Sequence, residues 1–274
     1  MPTPHPPLTL AIAGLGAIGL AVARRVDAGE LPGITLVAAA ARASDKARRA
    51  TAAFRSPPPL LSLAALAEAA DIVLECLPAA QFAAVAEPAI AQGRIFLPLS
   101  VGALLDHLAL IERARQTGAR IVVPTGALLG LDAVRAAAEG NISSVRMVTR
   151  KPPAGLMGAP LLAQRNISLT GLQEPLLVFA GSAREAIAGF PANVNVAVAL
   201  SLAGIGPDRT RVEIWADPTV THNTHSIILT SDSSDLSMTI QNIPTPENPR
   251  TGRITALSAL AALRRLTAPL VVGS

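Results

Sequence analysis

An apolar stretch at residues 8–14 (LTLAIAG) runs into the spacing Gly14-Leu15-Gly16-Ala17-Ile18-Gly19, and a helical pattern (AIGLAVARRVDA, 17–28) follows at once. No other feature restricts the fold as much. A GxGxxG alone is a weak signal, but one that ends a strand and opens a helix has the context the motif needs. Gly14 permits the tight turn, Gly16 lets backbone approach a pyrophosphate, and Gly19 allows close helix–strand packing. The N–H groups of Ala17, Ile18 and Gly19 then face the phosphates from the helix N-terminus. The alternative is a glycine-rich turn without a ligand. Order, spacing and context together favour dinucleotide binding.

The pattern continues as strands alternating with helices up to about residue 126: ITLVAAAA (34–41), helix 44–54, DIVLECLP (71–78), helix 80–92, RIFLPLS (94–100), helix 103–117 and ARIVVPTG (119–126). Such alternation indicates parallel βαβ units. Beyond it the period changes to two. Residues 143–152, 166–171, 210–218, 224–231 and 236–244 alternate apolar with polar, as strands with one wetted face do. Helices are expected at about 131–139 and 192–204, and residues 251–266 read as an amphipathic helix. The expected fold is α/β, an N-terminal dinucleotide-binding domain with a second α+β domain containing a largely antiparallel sheet. Residues 1–125 plus 249–274 are assigned to the first domain and 126–248 to the second.

Composition removes several chemistries. The chain of 274 residues has no Tyr, one Cys (Cys76), two Lys (Lys46 and Lys151) and four His (His5, His107, His222 and His225). A catalytic tyrosine, an internal disulfide and a cysteine-rich zinc site are therefore out of reach. A sequence pI of about 10.4 raises the question of nucleic acid. Here it reflects arginine, which stays protonated, in a chain with few groups that lose charge at high pH. With 15% charged and 2% aromatic residues there is neither a basic run nor a stacking platform, so no nucleic-acid partner is expected. The uncharged stretch 1–23 lacks the positive n-region of a signal peptide, and its glycines have the explanation above. We expect a cytoplasmic protein with no membrane association. The high apolar fraction suggests a homo-oligomer, a dimer in the first instance.

Other candidate residues follow from position. The second strand should end in an acid if the ribose 2′-hydroxyl of NAD is held there. Arg42 stands near that place instead, where a guanidinium suits the 2′-phosphate of NADP. The cofactor is therefore expected to be NAD or NADP. Thr125-Gly126-Ala127 follows the last parallel strand, a ligand-contact position or an ordinary turn. Asn193 and Asn195 precede an apolar helix and read as capping residues or as amides for ligand hydrogen bonds. His222 and His225 are three residues apart, so on an extended strand they face opposite sides and only one serves a given site. No acidic or cysteine partners stand at ligand spacing beside them, so no metal is expected. Arg250 and Arg253 lie in a polar turn leading into the last helix, where a guanidinium could meet a carboxylate.

Read together, these segments resemble the L-aspartate dehydrogenase family. The likeness rests on GFPANVNVAVALSLAGIGPDRTRVEIWADP (189–218), NTHSI (223–227) and ENPRTGRITALSALAALRRL (247–266), with GLGAIG, SVGAL (100–104) and TGALLGLDA (125–133) in order. It covers nearly the whole chain and is weakest over about 42–70. The resemblance implies a Rossmann domain, an α+β catalytic domain and a C-terminal helix that returns to the Rossmann side. It implies NAD(P)-dependent oxidation of L-aspartate to iminoaspartate, then oxaloacetate and ammonia, with possible supply of iminoaspartate to NAD biosynthesis. It places cofactor contacts at Ala127 and Asn193, and the active-site histidine of an Asn-x-His pattern at His225. His222 stands where the family pattern has arginine. For the two substrate carboxylates we assign Asn195, Lys151 and Arg250. The alternatives are a dehydrogenase of another small amino or keto acid, or a non-catalytic NAD(P)-binding redox sensor.

Overall fold

The computed structural model of the protein describes residues 6–42, 44–191, 194–245 and 252–273, with Ser44 described by its backbone alone. The chain divides into two compact units, one formed by residues 1–124 and 255–271, the other by 125–254 and 272–274.

The first unit is built on a parallel sheet of five strands: β1 (Leu8–Ala13), β2 (Ile34–Ala40), β3 (Ile72–Glu75), β4 (Ile95–Pro98) and the short β5 (Arg120–Ile121). Their order is β2-β1-β3-β4-β5, so the order reverses between β1 and β3. The connections carry α1 (Ala17–Asp27), α2 (Ser44–Thr51), α3 (Leu66–Ala69), α4 (Phe82–Ala91) and α5 (Ala109–Thr117). Helices on a parallel sheet bury its strands on both sides, which is why β1 reads as a continuous apolar run. Leu10, Ala11, Ile12 and Ala13 are fully buried. The expected helix 103–117 divides into a 3₁₀ segment (Val101–His107) and α5, and the expected strand 119–126 shrinks to β5.

The second unit starts with α6 (Leu131–Ala138) and the long β6 (Ile142–Lys151), followed by the short α7 (Pro160–Gln164). Next come β7 (Leu176–Ser182), α8 (Ala183–Gly189), α9 (Asn195–Ala203), β8 (Arg211–Ala216), β9 (Asn223–Ser231) and β10 (Asp235–Asn242). The sheet order is β10-β9-β6-β8-β7. Only the β6–β8 pairing within it is parallel, so the sheet is largely antiparallel. The expected period of two is visible in β6, where Val145, Met147, Thr149 and Lys151 are buried. Register places His225, Ile227 and Leu229 of β9 on the same face. Helix α9 is buried from Val196 to Ser201. Gly204, just past it, lies close to Val134 of α6 and Val145 of β6.

One expectation is overturned in this unit, and two elements were not anticipated. Residues 166–171 form turns rather than a strand, with Asn166 and Gly171 at positive φ. Conversely, β7 and α8 went unread in the sequence. Strand β7 pairs only with β8 and shows no strict alternation, its burial being interrupted by an irregularity between Leu177 and Phe179. Helix α8 does carry a start signal, a capping box in which Ser182 and Glu185 satisfy each other's backbone N–H.

The last helix, α10 (Arg253–Thr267), supplies Ala259, Leu260 and Leu263 to the core of the first unit, beside Leu10, Ile12, Val22 and Leu31. Arg264 and Thr267 donate side-chain hydrogen bonds to the carbonyls of Glu30 and Pro32. Among the described residues, no helix is long and apolar enough to cross a membrane.

Candidate functional site

In the first unit the glycine motif forms the turn between β1 and α1. Gly14 has φ +101°, and a Cβ there would come within 2.7 Å of the Cys76 carbonyl oxygen. A Cβ on Gly19 would overlap the Gly14 carbonyl oxygen. Gly16, the residue preceding the helix, has open space where a side chain would stand. The three glycines thus differ sterically: Gly14 and Gly19 leave no room for a Cβ, and Gly16 faces open space. The first turn of α1 holds no acidic residue, so its free N–H groups present an unopposed positive end. This cradle fits a pyrophosphate, since backbone approach is possible only where a Cβ is missing. Arg42 is exposed two residues beyond β2.

In the second unit the chemistry gathers at one end of the buried sheet face. Thr149 and His225 are direct cross-strand partners, and Thr149 Oγ1 lies 3.1 Å from His225 Nδ1. Lys151 is two residues further along β6 and therefore on the same face. All three side chains are buried. Burial, and secondly the Lys151 ammonium, lower the His225 imidazole from its ordinary value to about 3. Burial lowers Lys151 to about 8. At neutral pH the pair is a neutral imidazole beside a cation.

The opposite side of the same strands anchors this end. Arg150 stacks 4.8 Å from the Trp215 ring centre and pairs with Asp217 at 2.8 Å. Asp217 also accepts from the Thr219 backbone and hydroxyl, and its own N–H donates to the Lys151 carbonyl. His222 precedes β9, beside the Thr221 hydroxyl and apart from the Thr149 contact.

The remaining sequence candidates sort as follows. Ala127 is half-buried in the turn Thr125–Leu128, whose carbonyl accepts from the Asn242 amide at 3.0 Å. Asn195 is half-buried at the first position of α9. Asn193 and Arg250 lie outside the described residues. Among the described residues, no group of three His, Cys, Asp or Glu is placed to hold a metal ion. Thr149 and Glu75 were not singled out in the sequence. For Thr149 the signal was its place two residues before Lys151 in an alternating strand. For Glu75 it was a lone acid inside an apolar strand.

Comparison with known proteins adds an independent line. Residues 132–266 match the family model described as aspartate dehydrogenase, C-terminal, and residues 14–124 match the NAD binding domain of homoserine dehydrogenase. The chain is 56% identical over 267 residues to the L-aspartate dehydrogenase of Bradyrhizobium diazoefficiens, covering 97% of this chain and 94% of that one. The chain belongs to the L-aspartate dehydrogenase family. L-aspartate dehydrogenase 3 of Bordetella bronchiseptica is 54% identical, with 97% and 98% covered. A crystal structure of aspartate dehydrogenase from Thermotoga maritima, 24% identical, shares the fold with a TM-score of 0.74, covering 97% of this chain and 99% of that one. As a member of the L-aspartate dehydrogenase family, the chain is an NAD(P)-dependent oxidoreductase of the class acting on CH–NH₂ groups.

Proposed function

We propose that the protein oxidises L-aspartate to iminoaspartate, which hydrolyses to oxaloacetate and ammonia, and that the reaction runs in either direction. The observation that carries this is the buried Thr149–His225–Lys151 end of the second unit's sheet. Lys151 is a cation on this face at neutral pH, the charge that pairs with a carboxylate of a dicarboxylate substrate. Asn195 and Arg250 are assigned to the same carboxylates.

His225 is assigned the proton transfer. With Nδ1–H donating to Thr149, the Nε2 lone pair is free to take a proton from the substrate ammonium or the attacking water. A carboxylate beside Lys151 cancels part of the charge that depresses the imidazole, so His225 becomes a better base when substrate is present. The bound nicotinamide accepts the hydride from Cα. Gly14, Gly16, Ala17, Ile18 and Gly19 are assigned to its pyrophosphate, Ala127 and Asn193 to further cofactor contacts, and Arg42 to the 2′-phosphate of NADP. We place the enzyme in the cytoplasm, as a homo-oligomer. Passing iminoaspartate on to NAD biosynthesis is a further possibility of the same chemistry.

The test follows reduced-cofactor absorbance with oxaloacetate, ammonia and either NADH or NADPH. Oxidation that needs both oxaloacetate and ammonia, and that is lost in His225→Ala while cofactor still binds, is the expected result. The ratio of the two cofactors' kcat/KM tests Arg42, for which a strong NADH preference would be contrary. Tight cofactor binding without oxidation would move the substrate to another amino or keto acid. A response unaffected by His225→Ala would favour a redox sensor.

A further inference from the structure

Glu75 closes β3 with its side chain wholly buried, and nothing above gives it a part in the reaction. Leu77 N–H donates to Oε1 at 2.6 Å and Ser100 N–H donates to Oε2 at 3.0 Å. Ser100 Oγ lies 3.1 Å from Oε1 and 2.5 Å from the Leu77 carbonyl oxygen. The Ser100 hydroxyl thus stands between Glu75 Oε1 and the Leu77 carbonyl, a donor within reach of both, and ties the end of β3 to the segment that follows β4. Burial raises the carboxyl above its usual range, against the Ser100 and Leu77 N–H groups, the Ser100 hydroxyl and the Leu99 N–H, which all favour the charged form.

The place of this network matters. Strand order reverses between β1 and β3, and ligands of open α/β sheets lie across that point, beyond the carboxyl ends of the strands. Glu75 pairs in register with Ala13 on one side and Pro98 on the other. The next peptide, Cys76, donates to the Ala13 carbonyl, and its own carbonyl is the group that a Cβ on Gly14 would strike. Cys76 is thus the peptide that packs on the glycine turn, whereas the Glu75 carboxyl is engaged by Leu77 and Ser100. The adenosine half of a dinucleotide belongs on the β2 side, where the ribose-recognising position stands. Glu75 and Ser100 are on the other side, at the ends of β3 and β4.

We propose that Glu75 is a positioning residue for the cofactor: its carboxyl and the Ser100 hydroxyl lock the ends of β3 and β4 into the floor for the nicotinamide half. Sidedness makes the idea testable. ADP-ribose has the adenosine and pyrophosphate but no nicotinamide.

The experiment measures Kd for NADH and for ADP-ribose by calorimetry on wild type, Ser100→Ala, Glu75→Gln and Glu75→Ala. Ser100→Ala and Glu75→Ala should weaken NADH by about tenfold, the worth of one or two buried hydrogen bonds, with ADP-ribose within about twofold. Glu75→Gln keeps an acceptor oxygen and can donate to Ser100 but opposes Leu77 N–H, so it should fall between wild type and Glu75→Ala. Equal weakening of both ligands, or no change in either, would overturn the proposal. Should Glu75→Ala fail to fold, Ser100→Ala carries the comparison alone. Wild-type protein that takes up neither ligand overturns the dinucleotide reading and this proposal together.

Discussion

Replacing Lys151 with methionine takes a cation away from His225 and leaves the apolar surroundings in place. A neighbouring positive charge disfavours imidazolium, so its loss must raise the imidazole pKa. Burial is the larger cause of the depression and persists. In Lys151→Met the His225 ring should therefore titrate above its starting value of about 3 but still below the ordinary 6.5. An NMR pH titration of the ring protons checks this, and a downward move would contradict the charge coupling described for the two residues. At this scale the sequence was informative about identity and silent about environment. An Asn-x-His pattern and a lysine in an alternating strand could be found by reading. That Thr149 meets Nδ1 depends on a cross-strand register, set by residues 76 positions apart in the chain. Asn195 and Ala127 were legible as positions, yet the group each meets is a tertiary property.

Elements were legible where a local rule fixes them. The β1–turn–α1 unit follows from three glycines, each needed for its own steric reason. Gly19→Ala would drive a methyl into the Gly14 carbonyl. The turn must then open or α1 must shift, so NADH binding should weaken by about tenfold or more, with a lower thermal midpoint. Calorimetric titration beside a melting curve checks both, and unchanged NADH affinity would contradict the close approach. Strands β6, β8, β9 and β10 were legible because one buried face imposes a period of two. The turns at 166–171 deceived because Ile167 and Leu169 alternate with polar residues, although no neighbouring strand takes up their backbone. Strand β7 was missed for the opposite reason. Its irregular register with β8 breaks the alternation, and Leu176 and Leu177 stay exposed at the sheet edge. The division of helix 103–117 depends on hydrogen-bond geometry within a turn, which side-chain periodicity does not record.

Across the whole molecule, the first unit's core is assembled from both ends of the chain. Leu263 of α10 is fully buried with Leu10 and Ile12 of β1. Leu263→Ala should cost about 2–5 kcal/mol, the range for a truncated core leucine. The loss should appear as a lower midpoint in the denaturant transition of the first unit, the one that bound NADH protects. A variant as stable as wild type would mean that α10 adds little to that core. The amphipathic pattern of residues 251–266 was plain in the sequence. Its docking on the first unit was implied by family resemblance, because periodicity shows that a face must be covered and not by what.

That return of the chain reverses the usual schedule of a nascent polypeptide. Domains generally acquire structure in the order they leave the ribosome. Here residues 125–254 form an unbroken stretch, whereas the unit begun by residues 1–124 still needs 255–271. Translation of the intervening part takes roughly 7–30 s at about 5–20 residues per second. For that interval the apolar patch awaiting Ala259, Leu260 and Leu263 stays open to water, a waiting period that chaperones exist to cover.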